Sequence, residues 1–488
     1  MFVITYNIYL WSQTCVLWLN TYKYINCIGS ERAQFKVTRD STMTKAEHNN
    51  DFDFFITDLN GNQRGKRLPA SYFSKLHTEG MKLPRSVVGL DIWGDDCAGN
   101  GLVFETGDSD GVCKPVSPEL TPVPWARRPH EQALGMMFNP DNSPFLADPR
   151  QILASVVARY KAKGITAVAA TELEFYLMDI NSEASQRPCP PVLKHGHGRT
   201  ITEVDAYSIT ELDGLSDFFA DVRDACRVQG IPADTIISEL GPGQFEINLN
   251  HINDPLLVAD QAILFKRLIK GVARKHELAA SFMAKPYVDQ SGNGFHVHFS
   301  LLDEDGNNIF NNGAPEGTDT LRHAIAGLMN AMADSMLVFA PNLNSYRRFE
   351  KGAHAPTYAS WGYENRTVAL RVPDSPNVAR RIEHRVSGAD ANPYLVLATI
   401  LSAALDGIEN KTEPSAPVKG DAYSAFDEAR VLPNTWEGAI SALENSDLLS
   451  GLLGDEFIRV FTAAKRQEQA SIASKISDVE YQSYLGIL

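Results

Sequence analysis

Thr171-Glu172-Leu173-Glu174-Phe175-Tyr176 is the stretch whose reading decides the fold. It closes an apolar run, Ile165–Ala170, that reads as a buried strand. On a strand, residues two apart point to the same side, so Glu172 and Glu174 project together while Leu173 and Phe175 face the other way. Two neighbouring carboxylates at the end of a buried strand repel each other and need protons, arginines or metal ions beside them. A single Glu-x-Glu would read as a solvated edge strand, but the device recurs downstream. Glu246, Asn248 and Asn250 share one face of Gln244–Asn250, and His296, His298 and Ser300 share one face of Phe295–Ser300. Arg381, Glu383 and Arg385 do the same in Arg381–Arg385. Glu, His and Arg dominate these faces and Lys is nearly absent.

Carboxylates with a histidine suit Mg²⁺ or Mn²⁺. Arginines among them suit phosphate and carboxylate groups through paired hydrogen bonds. Together they describe a site that neutralises a polyphosphate with metals and clamps an acidic substrate. The loop Ser291-Gly-Asn-Gly294 lets backbone approach a ligand. Asn344-Ser-Tyr-Arg-Arg348 and Asn365-Arg366-Thr-Val-Ala-Leu-Arg371 supply further arginines. Arg366 and Arg371 are an odd number apart, so a turn or bulge must intervene if both are to aim at one site.

The whole chain sets the class. Its 488 residues are enough for two or more domains, and 44% hydrophobic with 22% charged residues is ordinary for a globular protein. A net charge of −15 with no Lys/Arg-rich run argues against a nucleic-acid partner. The six cysteines form no Cys-x-x-Cys, so a disulfide framework or zinc site is not expected and a reducing cytoplasm is. Phe2–Leu19 is apolar but interrupted by Asn7, Ser12, Gln13 and Thr14, and no basic residue precedes Lys23. It fits neither a signal peptide nor a membrane span. Residues 1–42 are therefore expected to be a mistaken start or an unstructured extension, with the native product beginning at Met43.

Along the chain, Phe52–Asp58 reads as a strand turned at Leu59-Asn-Gly-Asn62 into a return strand. Short strands, including Val87–Asp91, continue to about Pro124. Residues 50–145 read as a small, mostly β domain, with Thr121–Trp125 and Asn139–Pro144 in the linker region. Residues 146–488 read as an α+β domain with an antiparallel sheet backed by helices. Asp148-Pro149, Asp254-Pro255 and Asn392-Pro393 open three helices. Helices are also expected at Ser216–Gln229, at Leu321–Phe339 and beyond Thr435 with a break at Gly454. Strands are expected at 165–178, 236–250, 280–302 and over most of 366–387.

These residues make the chain resemble the glutamine synthetase superfamily, type I, from about Asp53 to near the C-terminus. The motifs are Glu172-Leu-Glu174, Gly243-Gln-Phe-Glu246, Lys285-Pro286 with Gly294-Phe-His-Val-His298, and Asn344-Ser-Tyr-Arg-Arg348. Asn365-Arg366 with Arg371, and Arg380-Arg-Ile-Glu-His-Arg385 with Ala391-Asn-Pro-Tyr394, complete the set. The chain is most similar to the gamma-glutamylputrescine synthetase branch, at Thr57–Gly61 with Arg64–Arg67, Phe282–Pro286 and Gly388-Ala-Asp390. The resemblance implies a β-grasp N-terminal domain, a catalytic domain with a curved antiparallel sheet, and a homo-dodecamer with active sites between subunits.

The resemblance also implies two Mg²⁺ or Mn²⁺ ions per site, one on Glu174, Glu239 and Glu246, the other on Glu172, His296 and Glu383. ATP would meet His298, Ser300, Arg371 and Arg381. Glutamate would be held by Gly292, Arg348 and Arg385, and Arg366 would stabilise the transferring phosphoryl group. The implied activity is an ATP-dependent ligase that joins the γ-carboxyl of glutamate to an amine through a γ-glutamyl phosphate, with putrescine favoured. The alternatives are a glutamine synthetase using ammonia, a ligase for another amine such as ethanolamine, and an inactive structural homologue. Three departures bear on the amine. His354 stands where glutamine synthetases carry a glutamate over the site, Asp91 is followed by Ile92-Trp93-Gly94, and Ser291 replaces an asparagine. His354 is expected to act as base, with Asp91 and Trp93 of a neighbouring subunit shaping the amine pocket. The regulatory tyrosine segment is not recognisable near Asp421–Pro433, so control by adenylylation is not expected.

Overall fold

Hairpin β1 (Asp51–Thr57) and β2 (Gln63–Pro69) forms as expected, antiparallel from Asp51↔Pro69 to Thr57↔Gln63. The computed structural model describes residues 51–488, apart from 194–199, 202–204, 351, 354 and 425–430. The expected extension, residues 1–42, lies outside the described residues. Asn49–Leu488 form one unit. Asp58 fastens the hairpin turn: its Oδ1 accepts from Asn62 N at 2.8 Å and its Oδ2 from Arg64 Nε at 2.8 Å.

β3 (Met81–Pro84), β4 (Asp110–Pro115), β5 (Thr121–Pro122) and β6 (Glu131–Phe138) complete a six-stranded sheet in the order β2-β1-β6-β4-β3, with β5 on β6. β1 and β6 run parallel at its middle, and helix Phe73–Thr78 lies between β2 and β3 in the chain with Leu76 buried. This is the expected β-grasp arrangement. Two local expectations change. Val87–Asp91 is not a strand but overlaps the 3-10 helix Arg85–Gly89, which buries Val88 and lets its carbonyl accept from Leu59 N at 2.9 Å. Thr121–Trp125 is not linker, because β5 pairs with β6 inside the sheet.

The second sheet contains β7 (Thr166–Asp179), β8 (Ala233–Ser238), β9 (Gln244–Ile252), β10 (Leu278–Ser281), β11 (Phe295–Leu302), β12 (Trp361–Tyr363), β13 (Leu370–Val372) and β14 (Ile382–His384). Its order is β12-β13-β14-β11-β7-β9-β8, with β10 also on β7. All pairs are antiparallel except β12 with β13. β7 is the longest strand among the described residues, at 14 residues, and Leu173 and Phe175 on it are fully buried. Rings carry this face into the helix layer: Phe175 meets Phe245 at 6.4 Å, and Phe245 meets Phe219 of helix Ser216–Gln229 at 5.1 Å.

Helices Pro149–Lys161, Pro255–Lys275 and Pro393–Asn410 start where expected. The Asp148, Asp254 and Asn392 side chains accept from backbone N–H groups of the first turn, each contributing about 1 kcal/mol. Helix Pro393–Asn410 is buried nearly all round, which places it inside the helix layer. It crosses helix Asp319–Ala331 at Gly327 and Gly407. A Cβ on Gly327 would lie 2.1 Å from Ala403 O, and one on Gly407 2.2 Å from His323 O. Only glycine permits that approach.

The expected helix Leu321–Phe339 is two, Asp319–Ala331 and Met336–Phe339, joined by a turn in which the Ala331 carbonyl accepts from both Ser335 N at 3.0 Å and Ser335 Oγ at 2.7 Å. The expected strand over 366–387 shrinks to β13 and β14. Pro373 and Pro376 lie between them and cannot donate to a ladder. Among the described residues no helix is long and apolar enough to cross a membrane.

Candidate active site

Cross-strand register assembles the site on the sheet face away from that apolar core. Glu172 on β7 stands between His296 on β11 and Asn248 on β9, and Glu174 stands opposite Glu246. Glu383 on β14 stands between His298 on β11 and Arg371 on β13. Glu172 is the hub. Its Oε1 accepts from Asn248 Nδ2 at 2.9 Å and lies 2.9 Å from His298 Nε2, while its Oε2 lies 3.1 Å from His296 Nδ1. Arg371 Nη1 donates to Glu383 Oε2 at 2.8 Å, and Arg385 Nη1 donates to Glu383 Oε1.

Two cavities meet at Glu172 and Asn248. One, of about 480 Å³, is lined by Glu172, Glu174, Glu239, Glu246, His296 and Glu383, with Gly292, Arg348, Arg366, Arg371 and Arg385. The other, of about 520 Å³, is lined by His298, Ser300 and Arg381. Arg366 and Arg371 do reach one cavity, and the required turn falls at Arg366–Thr367.

The charges are unequal. Burial opposes ionisation of Glu172, but hydrogen bonds from His296 and His298 hold its carboxyl well below the usual range. Burial likewise opposes Glu383, but Arg385 and the two histidines bring it down to about 2. Glu246 has no such help: burial, then repulsion from Glu172, Glu174, Glu239 and Glu383, pushes it up to about 10. Burial and Glu174 push Glu239 up to about 7. A divalent cation fits this cluster, because it replaces protons on hard oxygen donors that otherwise repel each other. Ligand atoms of Glu172, Glu246 and His296 come within 4.8 Å of one another, as do those of Glu172, His298 and Glu383.

A pH dependence follows. Between the ordinary value of 4.5 and their raised values, Glu239 and Glu246 carry protons in the fold that the unfolded chain has lost. Rising pH therefore weakens the metal-free fold in that window and favours cation binding. Calorimetry in buffers of different ionisation enthalpy should show Mg²⁺ or Mn²⁺ binding that releases protons and tightens from about pH 6 to pH 8. Affinity that is flat with pH would contradict it.

The profile described as "Glutamine synthetase, catalytic domain" matches residues 146–484. The chain belongs to the glutamine synthetase family. As a member it is a ligase, and the family works with divalent metal ions and ATP. The chain is 38% identical over 433 residues to "Gamma-glutamylputrescine synthetase PuuA" of Escherichia coli (strain K12), covering 88% of this chain and 90% of that one. It is 34% identical to "Glutamate--isopropylamine ligase" of Pseudomonas sp, with 88% and 94% covered. Among solved structures, "GmaS/ADP complex-Conformation 1" superposes with a TM-score of 0.78 at 29% identity, covering 90% of this chain and 97% of that one.

The motifs of this glutamine synthetase-family site fall as follows. The six residues expected to hold metals all line the 480 Å³ cavity. The close groupings share Glu172 and include His298, whereas Glu174 Oε2 accepts from Gly294 N at 2.7 Å and Gln244 Nε2 at 3.1 Å. His298, Ser300 and Arg381, expected at ATP, line the 520 Å³ cavity, while Arg371 lines the other. Gly292 and Gly294 are glycines for a steric reason. A Cβ on Gly292 would lie 2.6 Å from Arg348 Cγ, and one on Gly294 3.0 Å from Glu174 Oε1 and His296 Nε2. Asp91 lines neither cavity. It is buried, with Oδ1 accepting from Trp93 N, Gly94 N and Asp95 N and Oδ2 from Gln467 Nε2. His354 lies outside the described residues.

Sequence reasoning missed two supporting residues. Gln244 Nε2 donates to Glu174 Oε2, to Gly292 O at 3.0 Å and to Asn293 Oδ1 at 3.1 Å, tying the glycine loop to β7. Asp390 Oδ2 accepts from Ser345 Oγ at 2.6 Å and Asn342 Nδ2 at 2.8 Å, pinning the turn Leu343–Arg348 that carries Arg348. Asp390→Ala frees that turn and leaves two donors unpaired. Steady-state kinetics should show the glutamate KM rising by roughly tenfold or more while the ATP KM moves much less. Equal changes in both would mean that Asp390 serves the fold alone.

Proposed function

We propose that the protein joins the γ-carboxyl of L-glutamate to a small amine, with putrescine the favoured acceptor, using ATP. The observation that supports this best is the polarity of the joined cavities. A carboxylate–imidazole cluster centred on Glu172 separates a chamber rich in arginine from one lined by His298, Ser300 and Arg381. ATP fits the second chamber, with its polyphosphate reaching the cluster. Glutamate fits the first, its α-carboxylate against Arg348 and Arg385 and its γ-carboxylate toward the cluster. Divalent cations on the cluster, two per site in this reading, supply charge neutralisation of the phosphates.

The γ-carboxylate oxygen attacks the γ-phosphorus of ATP, forming the acyl phosphate and releasing ADP. Arg366 neutralises charge on the transferring group. The neutral amine then attacks the acyl carbon, phosphate leaves with the C–O bond electrons, and the amine proton passes to a base. His354 is that base in this reading. Asp91 shapes its own loop, which a neighbouring subunit of a dodecamer presents to the site. The relatives named for putrescine and isopropylamine support an alkylamine acceptor.

Phosphate release with MgATP, glutamate and a panel of amines tests the assignment. Putrescine should exceed ammonia in kcat/KM by roughly a hundredfold. Greater activity with ammonia would make the chain a glutamine synthetase, and no release with any acceptor would revive the inactive homologue.

A further inference from the structure

The 480 Å³ cavity has a wall that the two chemical steps do not use. Ala206, Tyr207, Ile237 and Leu240 line it at the β8 end, with Ala353. Arg371 and Arg385 belong to the other end of the strand order, on and just after β13 and β14. Leu240 is 41% exposed and Tyr207 69% exposed, so neither is core, and both line this cavity. The backbone of Tyr207 is held in place. Tyr207 N donates to Ser238 O at 2.8 Å, holding this residue against the end of β8, and its φ of 63° is uncommon for a residue with a side chain. Leu240 follows Glu239 directly and so flanks the carboxylate cluster.

An apolar wall offers nothing to an anion and little to a bare ammonium ion, but it shields methylene groups from water. We infer that Leu240, supported by Ile237 and Tyr207, is the residue that selects acceptors by alkyl chain. The amine lies with its methylenes along this wall and its nitrogen toward the cluster. The inference rests on the amine-ligase reading above and adds what distinguishes one amine from another. Butylamine and putrescine lay the same four carbons along the wall, so loss of the wall should weaken both.

The test is kcat/KM by phosphate release for ammonia, methylamine, ethylamine, propylamine, butylamine and putrescine, in the native protein, Leu240→Asn and Leu240→Met. Native values should climb by roughly fourfold per added methylene. In Leu240→Asn the slope should flatten, with the ratios of butylamine to ammonia and of putrescine to ammonia each falling by roughly tenfold or more. Leu240→Met keeps apolar volume and should keep the slope, which separates loss of the wall from damage to the fold. A slope preserved in Leu240→Asn, or lost equally in Leu240→Met, overturns the inference while leaving the ligase reading intact. No release with any amine, ammonia included, in the native protein overturns both.

Discussion

Glu172→Gln is expected to lower ATP-dependent phosphate release by about a thousandfold or more. The substitution keeps the shape and removes one charge. Glu172 is the residue both close ligand groupings share, and its oxygens lie within hydrogen-bond distance of Asn248, His296 and His298. An amide offers one acceptor oxygen and no charge, so neither imidazole keeps its carboxylate partner and cation binding weakens at both places together. Stability should respond differently. Glu172 heads the carboxylates that repel Glu246, so removing its charge lets Glu246 ionise more easily. The metal-free melting temperature should stay within a few degrees of the native value, while its rise on adding Mg²⁺ or Mn²⁺ should largely vanish. Differential scanning calorimetry with and without the ion, beside a turnover assay, checks both halves. Retention of turnover within about tenfold would remove Glu172 from the centre of the site.

Arg366→Lys carries the next largest expected effect, a fall in kcat of roughly a hundredfold to a thousandfold with much smaller changes in the KM values for ATP and glutamate. The reason is that its guanidinium is left free of close pairing, acting on Glu239 and Glu364 only at longer range. Arg371 and Arg385 are paired with Glu383, and Arg348 donates to Val386 O at 3.2 Å. Arg366 lines the same cavity, and among the described residues it has no hydrogen-bond or ion-pair partner. A lysine keeps the charge but loses the planar fork that meets phosphoryl oxygens in pairs. An interaction made in the transition state alone lowers kcat, whereas one made equally in the ground state raises KM. Single-turnover measurements should place the loss in acyl-phosphate formation. A rise in the glutamate KM with kcat unchanged would make Arg366 a ground-state clamp instead.

The site was legible because β7, β9 and β11 are long enough for strict alternation to fix which side chains share a face. β14 spans only Ile382–His384, yet Arg381, Glu383 and Arg385 still reach the cavities, because extended backbone continues past the paired residues. Partner choice was less legible. Grouping His296 and His298 around one carboxylate depends on the register between β7 and β11, strands more than a hundred residues apart in the chain, which sets His296 opposite Glu172. Val87–Asp91 misled because paired valines carry strand preference, whereas the segment forms a 3-10 turn whose Val88 is buried and bonded through its carbonyl to Leu59 N of the hairpin. Asp390 was noticed only as a mark of resemblance. Its partners, Asn342 and Ser345, lie 48 and 45 residues away, beyond the reach of any periodicity.

The most direct test is the anomalous diffraction of Mn²⁺ in crystals of the native protein grown with the ion. The physical claim predicts Mn²⁺ within about 2.2 Å of a Glu172 carboxylate oxygen, shared with ligand atoms from Glu246, His296, His298 or Glu383, and no such peak in Glu172→Gln. Mn²⁺ bound only elsewhere on the native chain, with the Glu172 cluster bare at saturating ion, would contradict it.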